Sequence, residues 1–521
     1  MSDLYKRNAE SEGHNQGLPS GDARTGQLIL LLTVAGIACR LAQYFWDRSF
    51  WVDEASLVLN IRTKTAGELL GALSYHQAAP PLFLLAERAL FRLTGSGELS
   101  LRFLPLVAGC ASMILFASLA RRILNPWAVV AAVAMFAFSD RLIWHATEVK
   151  QYGIDVFVSV LLTWLAVGRG DQDTHVVRRF IVLCIAGVAA VWMSYPAVMA
   201  FGGLSLAMLP TLLSRSESRL KSLLIYAAGN LPAAISFVMV LRLVMRFQQT
   251  QSLGEYWAED FLPVSHPFAG IGWLWTHLLN LCNYPVEPLG PVLLVCAVVG
   301  GIWMARRGQG RGVAMLTMPL VLNLIASAAG RYPFDGKRLT VYLVPAVLLL
   351  GAAGTEAIWA WLKQPIGKFA IIPAAALIAV GAGSAAFHLV SPRYRGHVRP
   401  VAAFVRAHSS IDDAIFPLQP HEFACYWPAV DPRVSYDIPP ANQIHAKRFW
   451  LVWSFPNARF RSHLNPLLKW ARTFATERVS YDRAGGCAFL FEISGAPDNS
   501  VPPDIATHHK MMASDPDSPP D

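Results

Sequence analysis

The stretch Phe50-Trp51-Val52-Asp53-Glu54 places two adjacent carboxylates directly after the first long apolar segment of the chain. Ionised side chains at the edge of a bilayer are costly, so an acidic pair kept there indicates a use. The alternative interpretation is an interfacial acidic pair that ends a helix or faces solvent. Either way, the pattern predicts a membrane protein, and the acidic pair is the first candidate for chemistry at one membrane face.

The composition of the whole chain supports this prediction. Of 521 residues, 54% are hydrophobic and 15% charged, and the mean hydropathy is +0.38. Soluble domains usually carry about 25% charged residues. The net charge of +9 does not indicate nucleic-acid binding, because much of the excess lies in short loops between apolar segments.

The apolar segments predict about eleven membrane helices. They lie at residues 27–46, 103–120, 126–143, 151–168, 180–197, 198–213, 222–243, 289–305, 312–329, 338–358 and 369–390. Basic residues follow every second helix: Arg121, Arg122, Arg169, Arg178, Arg179, Arg215, Arg219, Lys221, Arg306, Arg307, Arg311, Lys363 and Lys368. By the positive-inside rule these loops and the N-terminus are cytoplasmic, and the C-terminus is external.

The chain divides into four predicted regions. Residues 1–25 form a disordered cytoplasmic N-terminus, 26–395 a transmembrane domain, 396–494 an external α/β domain and 495–521 a disordered tail. A first external loop, 47–100, lies within the transmembrane domain.

Within that first loop, residues 55–73 and 80–94 have the pattern of helices lying in the membrane interface. The alternative is that 80–94 crosses the membrane. That crossing would invert all later loops and break the charge rule.

The external domain is predicted from short apolar runs at 414–418, 448–453 and 487–493, which resemble buried strands. Helical patterns occur at 398–408 and 462–475. Cys425 and Cys487 fall in this region and could pair in an oxidising compartment, or remain buried thiols. No Cys-x-x-Cys pair occurs, which argues against a structural zinc site.

Three further polar clusters accompany Asp53 and Glu54. His76 precedes Pro80-Pro81 and could hydrogen-bond a sugar or phosphate, although a loop histidine is more often only solvated. Glu148, Lys150 and Tyr152 lie at the predicted external end of the fourth helix, where an internal Glu148–Lys150 ion pair is the alternative.

The third cluster is an external loop whose cations run against the charge rule, which favours phosphate binding. It contributes Arg331, Tyr332, Lys337 and Arg338.

These motifs, in this order, resemble the GT-C superfamily of membrane glycosyltransferases. Within it they are similar to family 39, the protein O-mannosyltransferase-like group, which includes bacterial enzymes that add aminoarabinose or galacturonic acid to lipopolysaccharide. The similarity covers roughly residues 25–395. Relatives of the aminoarabinose type have a Glu-Lys pair before Pro-Pro, whereas this chain has His76-Gln77-Ala78-Ala79, which argues against aminoarabinose as the sugar.

The resemblance implies sugar transfer from a polyprenyl-phosphate donor to an envelope lipid, polysaccharide or protein at the periplasmic face of a bacterial inner membrane, with inversion. It makes Asp53 the main catalytic carboxylate, with Glu54 beside it, and assigns the substrate-binding element to Glu148, Lys150 and Tyr152, where Arg is commoner than Lys. No cofactor is required, although the paired carboxylates could hold a divalent metal.

Two other functions stay open at the level of sequence. A transporter or flippase of lipid-linked sugars would use the same cations without a catalytic carboxylate. Transporters often have internal repeats, which are not evident here. An envelope polymerase or ligase would share the architecture but often carries its key loop late in the chain.

Overall fold

A computed structural model gives the fold of this chain. It describes residues 21–95, 97–168, 175–214, 218–248, 251–361, 371–392, 395–454, 464–483, 485–495 and 499–503. Of the two segments predicted to be disordered, 1–25 and 495–521, residues 1–20, 496–498 and 504–521 lie outside the described residues, whereas 21–25 are helical, at the start of the helix Gly21–Phe45. Four of the loop cations used above also lie outside the described residues: Arg169, Arg215, Lys363 and Lys368.

Helices make up most of the described chain. They are α1 (Gly21–Phe45), α2 (Val52–Thr63), α3 (Pro81–Thr94), α4 (Glu98–Ile123), α5 (Pro126–Phe138), α6 (Asp140–His145), α7 (Tyr152–Ala166), α8 (Val176–Met193), α9 (Ala197–Ser214), α10 (Arg219–Val240), α11 (Arg246–Gln248), α12 (Gln251–Tyr256), α13 (Pro267–Asn283), α14 (Gly290–Arg306), α15 (Gly310–Ala328), α16 (Val344–Trp361), α17 (Ile371–Val390), α18 (Val398–His408), α19 (Pro420–Tyr426) and α20 (Asn465–Ala471).

The predicted membrane helices are confirmed as helices. Within the described residues, eight are long and apolar enough to cross a bilayer: α1, α4, α8, α9, α10 with its continuation through the π-turn Leu241–Met245 to α11, α15, α16 with the 3-10 turn before it, and α17. The three shorter apolar helices α5, α7 and α14 occupy the remaining predicted segments.

Two predicted boundaries differ. The third predicted segment, 126–143, breaks at Ser139, whose extended backbone ends α5 and begins the short α6 at a charged residue. The predicted external loop 244–288 contains the 17-residue helix α13.

The helix ends separate into two sets. At one end, Arg122 donates to the carbonyl of Trp164, and Arg307 lies 3.8 Å from Glu356. At the other end, Arg48 donates to Thr147. Arg122 and Arg307 lie at the same end, because Asn125, three residues after Arg122, donates to Glu356. The first loop and the C-terminal domain lie at the second. This arrangement supports the alternating topology drawn from the charges, while the orientation in the membrane stays a prediction.

Two helices form in the first loop, as the pattern predicted, although α2 ends at Thr63, ten residues before the predicted end at 73. α2 is mostly buried, with Leu57, Val58 and Ile61 inaccessible to solvent, because α3 and α19 pack against it. α3 has 14 residues. At 1.5 Å per residue it reaches about 21 Å, which is too short to cross a bilayer.

The C-terminal domain contains a four-stranded sheet with strand order β1-β2-β4-β3. Its strands are β1 (Ala414–Pro417), β2 (Arg448–Ser454), β3 (Ala475–Arg483) and β4 (Gly486–Ile493). β1 and β2 are parallel, and the other pairs are antiparallel.

Three of these strands match the predicted apolar runs. The sequence missed β3 because it is an edge strand with alternating burial, which leaves no continuous apolar run. Cys425 and Cys487 are both buried and no disulfide joins them, so the structure has the second of the two predicted alternatives.

Close glycine contacts hold α14 against α16, the pair with the most extensive packing in the described chain. A Cβ atom on Gly354 would overlap the carbonyl of Cys296, and one on Gly300 would overlap the carbonyl of Leu350. Backbone approaches of this kind allow membrane helices to pack closely.

We therefore expect Gly354→Ala to push α14 and α16 apart and to lower the unfolding free energy by about 1–3 kcal/mol. Gly383→Ala is the matched control, because a Cβ on Gly383 of α17 would meet nothing within 4 Å. Thermal unfolding of both variants in detergent measures the difference. Equal unfolding temperatures for the two variants would contradict the expectation.

Candidate functional site

The site lies where the first loop meets the membrane-helix ends. Asp53, in the first turn of α2, accepts a hydrogen bond from Nη1 of Arg338 at 2.8 Å. The other terminal nitrogen of Arg338 donates to the Tyr256 hydroxyl at 3.2 Å, and the guanidinium lies over the ring of Trp257. The Asp53 side chain is 27% exposed, so one face of it remains open to a ligand.

The loop that carries Arg338 is fixed by Asp335. Its carboxylate accepts the backbone N–H groups of Lys337, Leu339 and Thr340. Gly336 has φ +66, and a Cβ there would overlap the backbone of α13. A glycine is therefore required at this turn. The carboxylate and the glycine together set where the chain delivers Arg338.

Glu54 has different partners from Asp53, although the two residues are adjacent. Both oxygens of Glu54 accept from Arg102 of α4, at 2.8 and 2.6 Å, and each side chain is 1% exposed. The Glu54 carboxylate also accepts the backbone N–H of Val149 at 2.8 Å. Glu54 therefore joins α2, α4 and the turn that precedes α7.

Lys150 is the second cation near Asp53. Its Nζ donates to the side-chain oxygen of Gln77 at 2.6 Å, and the residue is 5% exposed. Burial raises the pKa of Asp53, but the nearby positive charges of Lys150 and Arg338 more than offset it, so this pKa lies below its ordinary value. Asp53 is thus ionised at neutral pH.

Glu148 lies just before α7, which begins at Tyr152, within one residue of the predicted start of the fourth helix. Its carboxylate pairs with Nδ1 of His145 at 3.2 Å, and Nε2 of that histidine lies 2.7 Å from the Tyr284 hydroxyl. In the described part of the chain, Glu148 thus pairs with His145 and not with Lys150, the alternative that the sequence left open. Tyr152, the first residue of α7, is buried with its ring against His145.

The structure brings six of the ten predicted site residues together, and all of them except Asp53 are buried. These are Asp53, Glu54, Glu148, Lys150, Tyr152 and, through its bond to Asp53, Arg338. The other four lie at the edge: His76 and Arg331 are exposed, Lys337 is half-buried, and the Tyr332 hydroxyl donates to the Leu339 carbonyl. His76 and its neighbour Tyr75 both have positive φ angles, an uncommon conformation for residues other than glycine.

Three contributors were not predicted from the sequence. Arg102 is a single cation near the start of an apolar helix, which is a usable signal because such residues seldom lack a partner. His145 lies just past the end of the predicted third helix. Arg395, between α17 and α18, lies against Trp51 and Trp144, and no local pattern marks it.

A paired-carboxylate metal site does not fit this geometry. Both oxygens of Glu54 are occupied by Arg102, so a divalent ion at Asp53 and Glu54 would have to displace a buried ion pair. Within the described ranges, no group of three His, Cys, Asp or Glu residues is placed to hold a metal ion.

The C-terminal domain packs directly on the segment that carries Asp53. Tyr426 of α19 accepts the backbone N–H of Phe50 at 2.6 Å and donates to Glu98 at 2.7 Å. Nδ1 of His421 lies 2.9 Å from the Ser56 hydroxyl, three residues beyond Asp53. The domain is therefore part of the wall of the site.

A buried carboxyl, Glu422, lies in this contact. It is 2% exposed, and one oxygen accepts from the Ser454 hydroxyl at 3.1 Å. Burial raises the pKa of Glu422 to about 8. The folded protein therefore keeps this group protonated at neutral pH.

Several solved structures resemble this chain over most of its length. ArnT from Cupriavidus metallidurans matches in the apo state with a TM-score of 0.50 and 13% identity, over 90% of this chain and 98% of that one. The structure of the same protein bound to undecaprenyl phosphate matches with a TM-score of 0.50 and 14% identity, over 89% of this chain and 98% of that one. An oligosaccharyltransferase from Archaeoglobus fulgidus, in complex with Zn and sulfate, matches with a TM-score of 0.46 and 12% identity, over 89% of this chain and 72% of that one.

The two ArnT likenesses show that this chain shares the fold of ArnT. No family model and no curated protein sequence matches the chain. Membership of family 39 therefore stays a prediction.

We expect Glu54→Gln to lower the unfolding free energy by about 3–5 kcal/mol, because it leaves the Arg102 guanidinium buried without its charge partner. Asp53→Asn is the comparison, because this side chain is partly exposed and its loss should cost about 1 kcal/mol or less. Chemical denaturation in detergent measures both variants. Equal stability of the two would show that the Glu54–Arg102 pair does not hold the site together.

The raised pKa of Glu422 predicts a pH-dependent stability. The folded state holds this proton between the ordinary glutamate pKa of 4.5 and about 8, whereas the unfolded chain releases it. The contribution of Glu422 to the free energy of unfolding therefore falls as the pH rises from about 5 to 8.

We expect Glu422→Gln to reduce the difference in unfolding temperature between pH 5.5 and pH 8. The amide can keep the bond from Ser454 and carries no proton to lose. Glu492→Gln, at a solvent-exposed ion pair of the same domain, should leave the difference unchanged. If the unfolding temperature of Glu422→Gln depends on pH as that of the wild type does, Glu422 is not the source of this pH dependence.

Proposed function

We propose that this protein is a glycosyltransferase that moves a hexosyl or pentosyl group from a polyprenyl-phosphate donor to an envelope lipid, polysaccharide or protein. The observation that carries the proposal is an ionised carboxylate, Asp53, beside Lys150 and Arg338 at one end of a GT-C fold. A base and a phosphate-binding pair are the groups that such a transfer needs. The undecaprenyl phosphate bound in the ArnT structure supports this class of donor.

The transfer begins at Asp53. Its carboxylate accepts the proton of an acceptor hydroxyl, and the hydroxyl oxygen then attacks the anomeric carbon of the sugar. The bond from that carbon to the phosphate oxygen breaks, and its electron pair stays with the phosphate. Attack from the side opposite the phosphate inverts the configuration. The products are the glycosylated acceptor and the polyprenyl phosphate.

The cations around Asp53 stabilise the leaving phosphate. Lys150 and Arg338 provide this charge in a largely buried region, where electrostatic effects are stronger than in water. Burial lowers the pKa of Lys150, while the charge of Asp53 acts in the opposite direction and favours its ammonium form. Glu148 and Tyr152 shape the donor site.

The residues at the edge contact the outer parts of the substrates. These are His76, Arg331, Tyr332 and Lys337, which lie on the two loops beside Asp53. Glu54 acts as a positioning residue in this proposal, since Arg102 occupies both of its carboxylate oxygens. The reaction needs no cofactor, because side-chain cations supply the positive charge.

The proposed location is a bacterial inner membrane, with the N-terminus cytoplasmic and the C-terminal domain periplasmic. The described cations of the predicted cytoplasmic loops, such as Arg122 and Arg307, lie at the helix ends opposite the site. The site would then face the periplasm, where envelope acceptors are.

Asp53→Asn tests the proposal. The amide cannot accept the proton, so we expect sugar transfer to fall by about 100-fold or more. Mass spectrometry of envelope glycans and lipids measures it in a deletion strain complemented with each variant, and the lost mass identifies the sugar. Glu68→Gln, an exposed carboxylate of the same loop, is the matched control and should restore the modification fully.

The transporter alternative predicts the opposite result. A carrier of lipid-linked sugars needs the phosphate-binding cations but no base. Full restoration by Asp53→Asn would therefore overturn the transferase proposal in favour of transport.

A further inference from the structure

Arg395 joins the site from outside the membrane helices. It lies between the last membrane helix, α17, and the first helix of the C-terminal domain, α18, and it is 7% exposed. The backbone next to it is tightly constrained. Gly396 has φ +133, and a Cβ there would come within 2.6 Å of the Ser454 hydroxyl and 2.8 Å of a Glu422 oxygen. The docked C-terminal domain thus fixes where the chain delivers Arg395.

Two aromatic rings hold the Arg395 guanidinium in place. Its central carbon is 4.8 Å from the ring centroid of Trp51 and 4.9 Å from that of Trp144. Trp51 is two residues before Asp53, and Trp144 is four residues before Glu148. Arg395 therefore lies beside both segments that carry the carboxylates of the site. Contacts with aromatic faces hold a guanidinium while leaving its charge intact.

The charge of Arg395 acts on the site. Burial raises the pKa of both Asp53 and Glu148, and Arg395 is among the groups that bring each below its ordinary value. Arg395 is therefore a third buried cation near Asp53, after Lys150 and Arg338.

We propose that Arg395 binds the phosphate of the lipid-linked donor together with Lys150 and Arg338, so that the docked C-terminal domain completes the donor site. The inference rests on the proposed transferase function and extends it. Arg395 lies on the ring of Trp51, two residues before the proposed base Asp53, and a guanidinium suits the oxygens of a phosphate group. The C-terminal domain is then required for donor binding and is not an independent appendage.

Binding of undecaprenyl phosphate to the purified full-length protein in detergent tests this inference. We expect Arg395→Gln to raise the Kd by about tenfold or more, the usual effect of losing a hydrogen bond to a charged group. Arg395→Lys keeps the charge but not the fork of N–H groups, so its Kd should rise less. Arg478→Gln removes one charge from an exposed ion pair of the same domain and should leave the Kd unchanged.

The outcomes separate the two proposals. Failure of the wild type to bind undecaprenyl phosphate would overturn the proposed donor and this inference together. Binding by the wild type with an unchanged Kd in Arg395→Gln would overturn this inference alone. Thermal unfolding shows whether each variant is folded. If Arg395→Gln is not, Arg395→Lys decides, and a Kd equal to that of the wild type overturns the inference.

Discussion

The ion pair between Glu54 and Arg102 is the contact on which the site depends. Both side chains are almost inaccessible to solvent, and Glu54 also accepts the backbone N–H of Val149. One carboxylate thereby fixes the first loop to a membrane helix and to the turn that carries Glu148 and Lys150. A buried charge pair is costly to form but still more costly to break, so it favours a single arrangement of these three segments.

Fixing Glu54 leaves Asp53 available for chemistry. The two carboxylates are neighbours in sequence, yet one is enclosed by Arg102 and the other faces Arg338 on a partly exposed surface. Their surroundings therefore assign them different roles in the proposed reaction. Identical functional groups commonly acquire distinct roles in this way, because burial and nearby charge control when each is ionised and what it can contact.

The C-terminal domain is a second constraint on the same segment. Its helix α19 packs on α2, and Tyr426 bonds to the backbone of Phe50 just before the acidic pair. The local sequence around Phe50 or Tyr426 does not predict this contact, because 376 residues separate the two. The same is true of Arg395, which two tryptophans from separate elements hold beside the site.

The sequence by itself determined the membrane helices, the two helices of the first loop and three of the four strands, because long apolar runs and alternating charge are local properties. It also identified Asp53, Lys150 and Arg338 as charged residues near the predicted external ends of membrane helices, where charge is uncommon. Tertiary structure alone decided that Arg338 meets Asp53, across 285 residues, and that Glu54 is enclosed by Arg102. Ion pairs of this kind depend on how the helices pack. The local periodicity of the sequence does not indicate which distant residue a charged side chain will contact.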